Sequence, residues 1–270
     1  MRRSTGIAFV AAAAALWGTD ALWRLGWRYI LAAVAIGAGA SAVATILFTQ
    51  AFVNSASPVT PVVLQKVQPL VAVIGAWIIL GERPRRLFGL YLAGALAGAW
   101  LIAFPSPTGA LDDWGATTKP VLFALGAACL WAFGTVLGRY LTQRLRFQHV
   151  TTLRFAFGLP ASGIALLILG GPAFAGAHDS LWIAILALVT GAVALSLYYY
   201  GLRVTPAVAA ALAELAFPVT AALVGYLAFD ATLTSTQWLG VAVTTTVVAL
   251  LPARPKDVVD VRPAPVPAPA

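Results

Sequence analysis

The chain has 270 residues, of which 61% are hydrophobic and only 10% charged. A soluble domain carries about 25% charged residues because its surface must face water. A surface this poor in charge faces lipid, and the length suits roughly eight to ten spans of about 20 apolar residues each.

Met1-Arg2-Arg3 followed by the apolar run Ile7–Leu22 has the outline of a signal peptide. No polar mature domain follows, so this run reads as a retained membrane helix. The next runs are Tyr29–Val53, Val59–Leu80 and Leu87–Phe104, and then, beyond a polar stretch, Pro120–Tyr140, Phe147–Leu169, Leu181–Leu202, Pro206–Phe229 and Gln237–Leu251. Backbone groups in hydrocarbon must be satisfied within their own segment, which makes these runs helices and not strands. The sole cysteine, Cys129, lies inside an apolar run; it excludes an intramolecular disulfide and reads as a small packing residue. The tail, 253–270, alternates proline with alanine and valine and carries several charges, a composition that predicts disorder.

The net charge of +8 is carried in short clusters between apolar runs and forms no continuous stripe, which argues against a nucleic-acid partner. Instead the clusters mark cytoplasmic loops: Gly81-Glu82-Arg83-Pro84-Arg85-Arg86, Arg139 to Arg146, and Arg254-Pro255-Lys256. Loops poor in basic residues alternate with them, and the C-terminus falls on the cytoplasmic side. The start breaks the alternation, because Arg24 and Arg28 put the beginning of Tyr29–Val53 inside as well. One further helix near Leu25-Gly26 would repair the parity, and the sequence does not contain it.

The chain also repeats itself. At an offset of 149, the stretch from Phe48 to Leu70 aligns with Leu197 to Val219, so that Ser57 falls on Pro206, Gln65 on Glu214 and Pro69 on Pro218. The expected architecture is an all-α polytopic membrane bundle of nine transmembrane helices in two inverted repeats, the first lacking its second helix. The domains are then 1–104 (four helices), a linker at 105–119, 120–252 (five helices), and the tail.

Leu16-Trp17-Gly18, Ser57-Pro58 through Gly81-Glu82, and Gly201-Leu202-Arg203-Val204-Thr205-Pro206 through Glu214-Leu215-Ala216-Phe217-Pro218 carry a family likeness. In these the chain resembles the EamA-type members of the drug/metabolite transporter superfamily. The resemblance implies ten helices in two inverted halves of five and the movement of small metabolites. This chain departs from the pattern in the absent helix, and in having Asp230-Ala231 where the first half has Gly81-Glu82.

Ionisable groups at mid-helix are expensive in lipid and generally face a cavity or a partner. Lys66, flanked by Gln65 and Gln68, and Glu214 are the foremost candidates for substrate or coupling-ion sites, with a structural ion pair between helices as the competing reading. Pro69 and Pro218 are expected to break their helices, each freeing the carbonyl four residues earlier, Gln65 and Glu214. Loosened backbone at matching points of two repeats is where such transporters place substrate. Gln50 and Arg154 are weaker candidates: Gln50 ends a helix beside Asn54, and Arg154 lies about two turns inside Phe147–Leu169, where it reaches a cavity or snorkels. Gly94-x-x-x-Gly98 and Gly134-x-x-x-Gly138 permit close helix approach, within the chain or in a homodimer.

No nucleophile–base pair, metal spacing or phosphate-binding loop can be assembled, so the reading is not an enzyme, with no cofactor and no metal. The favoured function is a secondary active transporter, an exporter or permease with proton coupling, whose partners are a small-molecule substrate and the lipid bilayer. The alternative is a non-transporting, degenerate or partial membrane protein that needs a partner.

Overall fold

The structure is a computed structural model that describes residues 26–55, 59–104, 118–170, 176–230, 232–250 and 259–261. The run Ile7–Leu22, the linker and most of the tail lie outside the described residues. The first helix, α1 (Trp27–Val53), starts at Gly26, whose φ of 88° suits glycine. Its middle, Ala35–Val43, is rich in glycine and alanine and winds wider, with i→i+5 bonding. After it come α2 (Val59–Gln65), α3 (Gln68–Leu80), the strand β1 (Glu82–Pro84) and α4 (Phe88–Ala103). The later elements are α5 (Thr118–Thr142), α6 (Phe147–Leu169), α7 (His178–Leu202), α8 (Ala207–Ala213), α9 (Ala216–Ala228), α10 (Ser235–Ala249) and the strand β2 (Val259–Val261).

All eight expected runs that fall within the described residues are helical, and two are interrupted. Val59–Leu80 divides at Lys66-Val67, and Pro206–Phe229 divides at Glu214-Leu215. Among the described residues, five helical stretches are long and apolar enough to cross a bilayer: α1, α5, α6, α7, and α8 with α9 taken together. The helices α3 and α4 are shorter. At the 149-residue offset Val53 falls on Leu202, and the wide turns of α1 have a counterpart in α7 at Ala187–Ala194.

Packing does not follow the halves of the sequence. One compact unit combines residues up to Thr45 with Leu137–Val204; the other combines Ile46–Val136 with residues from Thr205 onward. In the first, α1 crosses α6 where Gly37 meets Gly158: a Cβ on Gly37 would lie 2.6 Å from Cβ of Phe157. Gly138, at the end of α5, makes room for the fully buried Tyr199 of α7, whose Cε1 would stand 2.6 Å from a Cβ there. Arg139, on the next position, donates through Nη1 to the carbonyls of Leu202 (2.8 Å) and Arg203. A cation there satisfies the last carbonyls of α7 and its dipole together. The basic residue expected merely to mark a loop therefore closes a helix end.

In the second unit, α4 and α10 pack backbone to backbone. A Cβ on Gly98 would press into Thr244 Oγ1 and lie 3.0 Å from the carbonyl of Gly240, while one on Gly94 would meet Val247 at 3.0 Å. The small-residue stripes around Gly94, Gly98 and Gly138 are thus occupied inside the chain. Thr234 starts α10 with a capping box, its side chain and that of Gln237 each taking the other's backbone N–H. Gln237 also donates from Nε2 to the carbonyl of Ile102, near the end of α4 (3.1 Å). Ile102, Val219 and Val241 pack together between α4, α9 and α10.

Of the tail, only residues 259–261 are described. Val259–Val261 is not disordered: it pairs antiparallel with Glu82–Pro84, Arg83 opposite Asp260. Short β-branched runs pair when an edge is offered, and the turn after Gly81 (φ 68°) offers one. The same turn points Glu82 inward, where its buried carboxylate accepts the N–H of Val208 in the first turn of α8 (3.2 Å). A helix N-terminus favours an anion there.

The closeness of α4 and α10 makes a direct prediction. Gly98→Val should lower stability in detergent by about 1–3 kcal/mol or more through overpacking. Gly89→Ala, with nothing within 4 Å of the added carbon, should stay within about 0.5 kcal/mol of the parent. Equal melting temperatures for the two variants would contradict the observed packing.

Candidate functional site

The two helix interruptions position most of the candidate residues. Proline has no N–H and its ring clashes with the carbonyl four residues earlier, so a helix loosens about one turn before it. Pro69 and Pro218 are both buried, and the interruptions lie immediately before them in sequence. The backbone tightens there: Val67 N–H bonds to the carbonyl of Leu64 and Leu215 N–H to that of Leu212, both three residues back. Contrary to expectation, the carbonyl of Glu214 is not left free, because Phe217 N–H takes it at 3.0 Å.

The side chain of Glu214 is the centre of a polar cluster. Gln68, the first residue of α3, donates from Nε2 to Oε2 at 2.7 Å, and Thr135 of α5 donates from Oγ1 to Oε1 at 2.9 Å. Both of these donors are neutral side chains. Lys66 does not take the place expected of it: among the described residues it forms no ion pair or hydrogen bond, and the side chain is half-buried. Gln65 is also half-buried. Trp131 stands one helical turn before Thr135 on α5, against the edge of Phe48 (centroids 5.0 Å apart).

Gln50 stays local. Asn54 donates to its carbonyl (2.8 Å) and to its side-chain oxygen (3.2 Å), closing the end of α1. Arg154 belongs to the other compact unit and does not snorkel free. Its Nε donates to Ser41 Oγ at 2.7 Å and its Nη1 to the hydroxyl of Tyr199 at 3.0 Å, with the guanidinium 6.0 Å from the centre of the Tyr199 ring.

Thr135, Ser41 and Tyr199 were not singled out as partners by sequence reasoning. Single hydroxyl residues are common in membrane helices, and only the fold tells which of them meets a charge. No group of three potential metal ligands occurs among the described residues.

Comparison with known proteins places this geometry in context. Residues 118–251 match the EamA-like transporter family. An uncharacterized transporter of Bacillus subtilis, YwfM, is 30% identical over 177 residues, covering 64% of this chain and 57% of that protein. The riboflavin transporter ImpX of Fusobacterium nucleatum is 29% identical over 170 residues, covering 61% and 56% respectively. The chain thus matches a little over half the length of these relatives. A protein known by its crystal structure has a TM-score of 0.60 and 17% identity, over 89% of this chain and 93% of that one, a likeness of fold alone.

The cluster at Glu214 can be tested without knowing any ligand. In a double-mutant cycle, Thr135→Val and Glu214→Gln should be coupled by about 0.5–3 kcal/mol, as directly bonded residues are. Additive losses of stability in detergent would mean that the bond is not formed.

Proposed function

We propose that this chain, whose residues 118–251 match the EamA-like transporter family, is a secondary active transporter of a small metabolite. In this reading it works as an exporter or permease in a cell membrane, with its C-terminus cytoplasmic, and couples transport to protons through Glu214. The observation that carries the reading is the bond between Gln68 and Glu214. Gln68 begins the helix after one interruption and Glu214 follows the helix before the other, so one hydrogen bond ties two helix breaks together. The ionised carboxylate accepts from both Gln68 and Thr135. On protonation one oxygen becomes a donor and loses its charge, which weakens and redirects the bonds it accepts.

That exchange changes the tie between α3, α5 and the α8–α9 break with each proton bound. It is a local charge event acting on loosened backbone, the kind of element that can hold two arrangements. The reading of two inverted repeats, the first missing its second helix, is supported by interruptions and wide turns at corresponding points along the 149-residue offset. Lys66 is a candidate contact for substrate. Since one relative is named a riboflavin transporter, riboflavin is the first compound to try.

The test is uptake of riboflavin and a panel of labelled metabolites into vesicles containing the purified chain, with and without an imposed proton gradient. A transported compound should accumulate with the gradient. Glu214→Gln, a neutral stand-in for the protonated acid, should drop to the gradient-free rate while keeping downhill exchange. Full gradient-driven uptake by the variant would remove Glu214 from coupling. No flux of any compound by the parent chain would favour a non-transporting protein that needs a partner.

A further inference from the structure

Outside the Glu214 cluster, one group of side chains has an unbalanced chemistry. Arg154, Ser41 and Tyr199 meet between α1, α6 and α7 within one compact unit. Ser41 Oγ accepts from Arg154 Nε and is itself directed at the carbonyl of Ile36, 3.4 Å away across the widened turn of α1. Its proton and a lone pair are therefore committed. The Tyr199 hydroxyl accepts from Arg154 Nη1, and among the described residues its own proton has no acceptor. A guanidinium carries five N–H donors, of which two are used here. What remains is a surplus of donors: three N–H groups, one phenolic O–H and a full positive charge. Among the described residues no carboxylate pairs with Arg154.

The depth of the cluster makes that surplus costly. Arg154 lies seven residues beyond Phe147, roughly 10 Å along the helix at 1.5 Å per residue. Its Nε does not turn back to the membrane surface but reaches Ser41, near the middle of the 27-residue α1. Arg139, by contrast, sits by the ends of α5 and α7 and donates to two carbonyls. An arginine held by neutral hydroxyls two turns inside a spanning helix lacks the counter-charge that such groups ordinarily have.

We propose that Arg154 forms a binding site for the carboxylate of an organic anion, with Ser41 and the buried Tyr199 as the positioning residues that fix the guanidinium. The two parallel N–H donors left unused on the fork match the two oxygens of a carboxylate. The single positive charge neutralises a carboxylate, but would leave a phosphate dianion half compensated. This inference rests on the transport reading in naming the class of substrate, a carboxylate-bearing metabolite. Binding itself requires no gradient, and so it is tested apart from transport.

The experiment is a thermal melt of the full chain in detergent at constant ionic strength, with benzoate, acetate or inorganic phosphate, each carboxylate compared with its neutral amide. Benzoate or acetate should raise the melting temperature in a saturable way, while benzamide and acetamide should not. Tyr199→Phe, which removes only the hydroxyl, and Arg154→Gln should raise the half-maximal concentration by roughly 10- to 100-fold, the worth of a hydrogen bond to a charged group. Arg154→Lys should bind with intermediate affinity, since it keeps the charge and loses the fork. If neither carboxylate stabilises the parent more than its amide, Arg154 is only a clamp between helices and the proposal fails. A stronger response to phosphate than to either carboxylate would overturn the assigned class.

Discussion

In hydrocarbon there is no water to take up an unused hydrogen-bond donor or acceptor, and each orphaned polar group costs several kcal/mol. That constraint is visible at several helix ends and breaks among the described residues. Where Pro218 removes a helical bond, the carbonyl of Glu214 is taken by Phe217. Where α7 ends, Arg139 supplies the donors that its last carbonyls lack. Where α10 begins, Thr234 and Gln237 satisfy each other, and Gln237 reaches on to Ile102.

Weak attraction between apolar surfaces within lipid explains the packing. Leucine gains little by leaving lipid tails for another leucine, so helices associate where their backbones come close. The contacts of Gly98 with α10, Gly37 with α6 and Gly138 with Tyr199 are of that kind. Large apolar side chains instead point outward: Leu181, Trp182, Ile183, Leu186 and Leu188 of α7 are all exposed, as a lipid-facing helix requires. This is the reverse of a soluble core, and it places alanine and glycine inside.

Against this background the two charged clusters differ in kind. Glu214 is an acid that accepts from the neutral donors Gln68 and Thr135. Arg154 is a base whose partners accept only part of what it offers. In the proposed reading the first exchanges a proton and the second receives an anion, and each stands within its own compact unit.

The sequence by itself determined the helical membrane class, the bounds of the described runs to within a few residues, and the existence of breaks near Pro69 and Pro218. Those properties follow from local physics: apolar length, backbone satisfaction within a segment, and the missing N–H of proline. It also marked Glu214, Gln68 and Arg154 as groups too polar for their depth. The tertiary structure alone decided which groups meet. Gln68 and Thr135 reach Glu214, whereas Lys66, with the opposite charge, does not; Arg154 finds two hydroxyls that no pattern distinguished from others. Likewise the charged, proline-rich tail predicted disorder, yet Val259–Val261 pairs with the edge left after Gly81. Partners brought together across more than a hundred residues depend on how helices cross, and crossings are set by which glycines can touch. That choice is made by the packed bundle, because a local sequence window contains only one side of each contact.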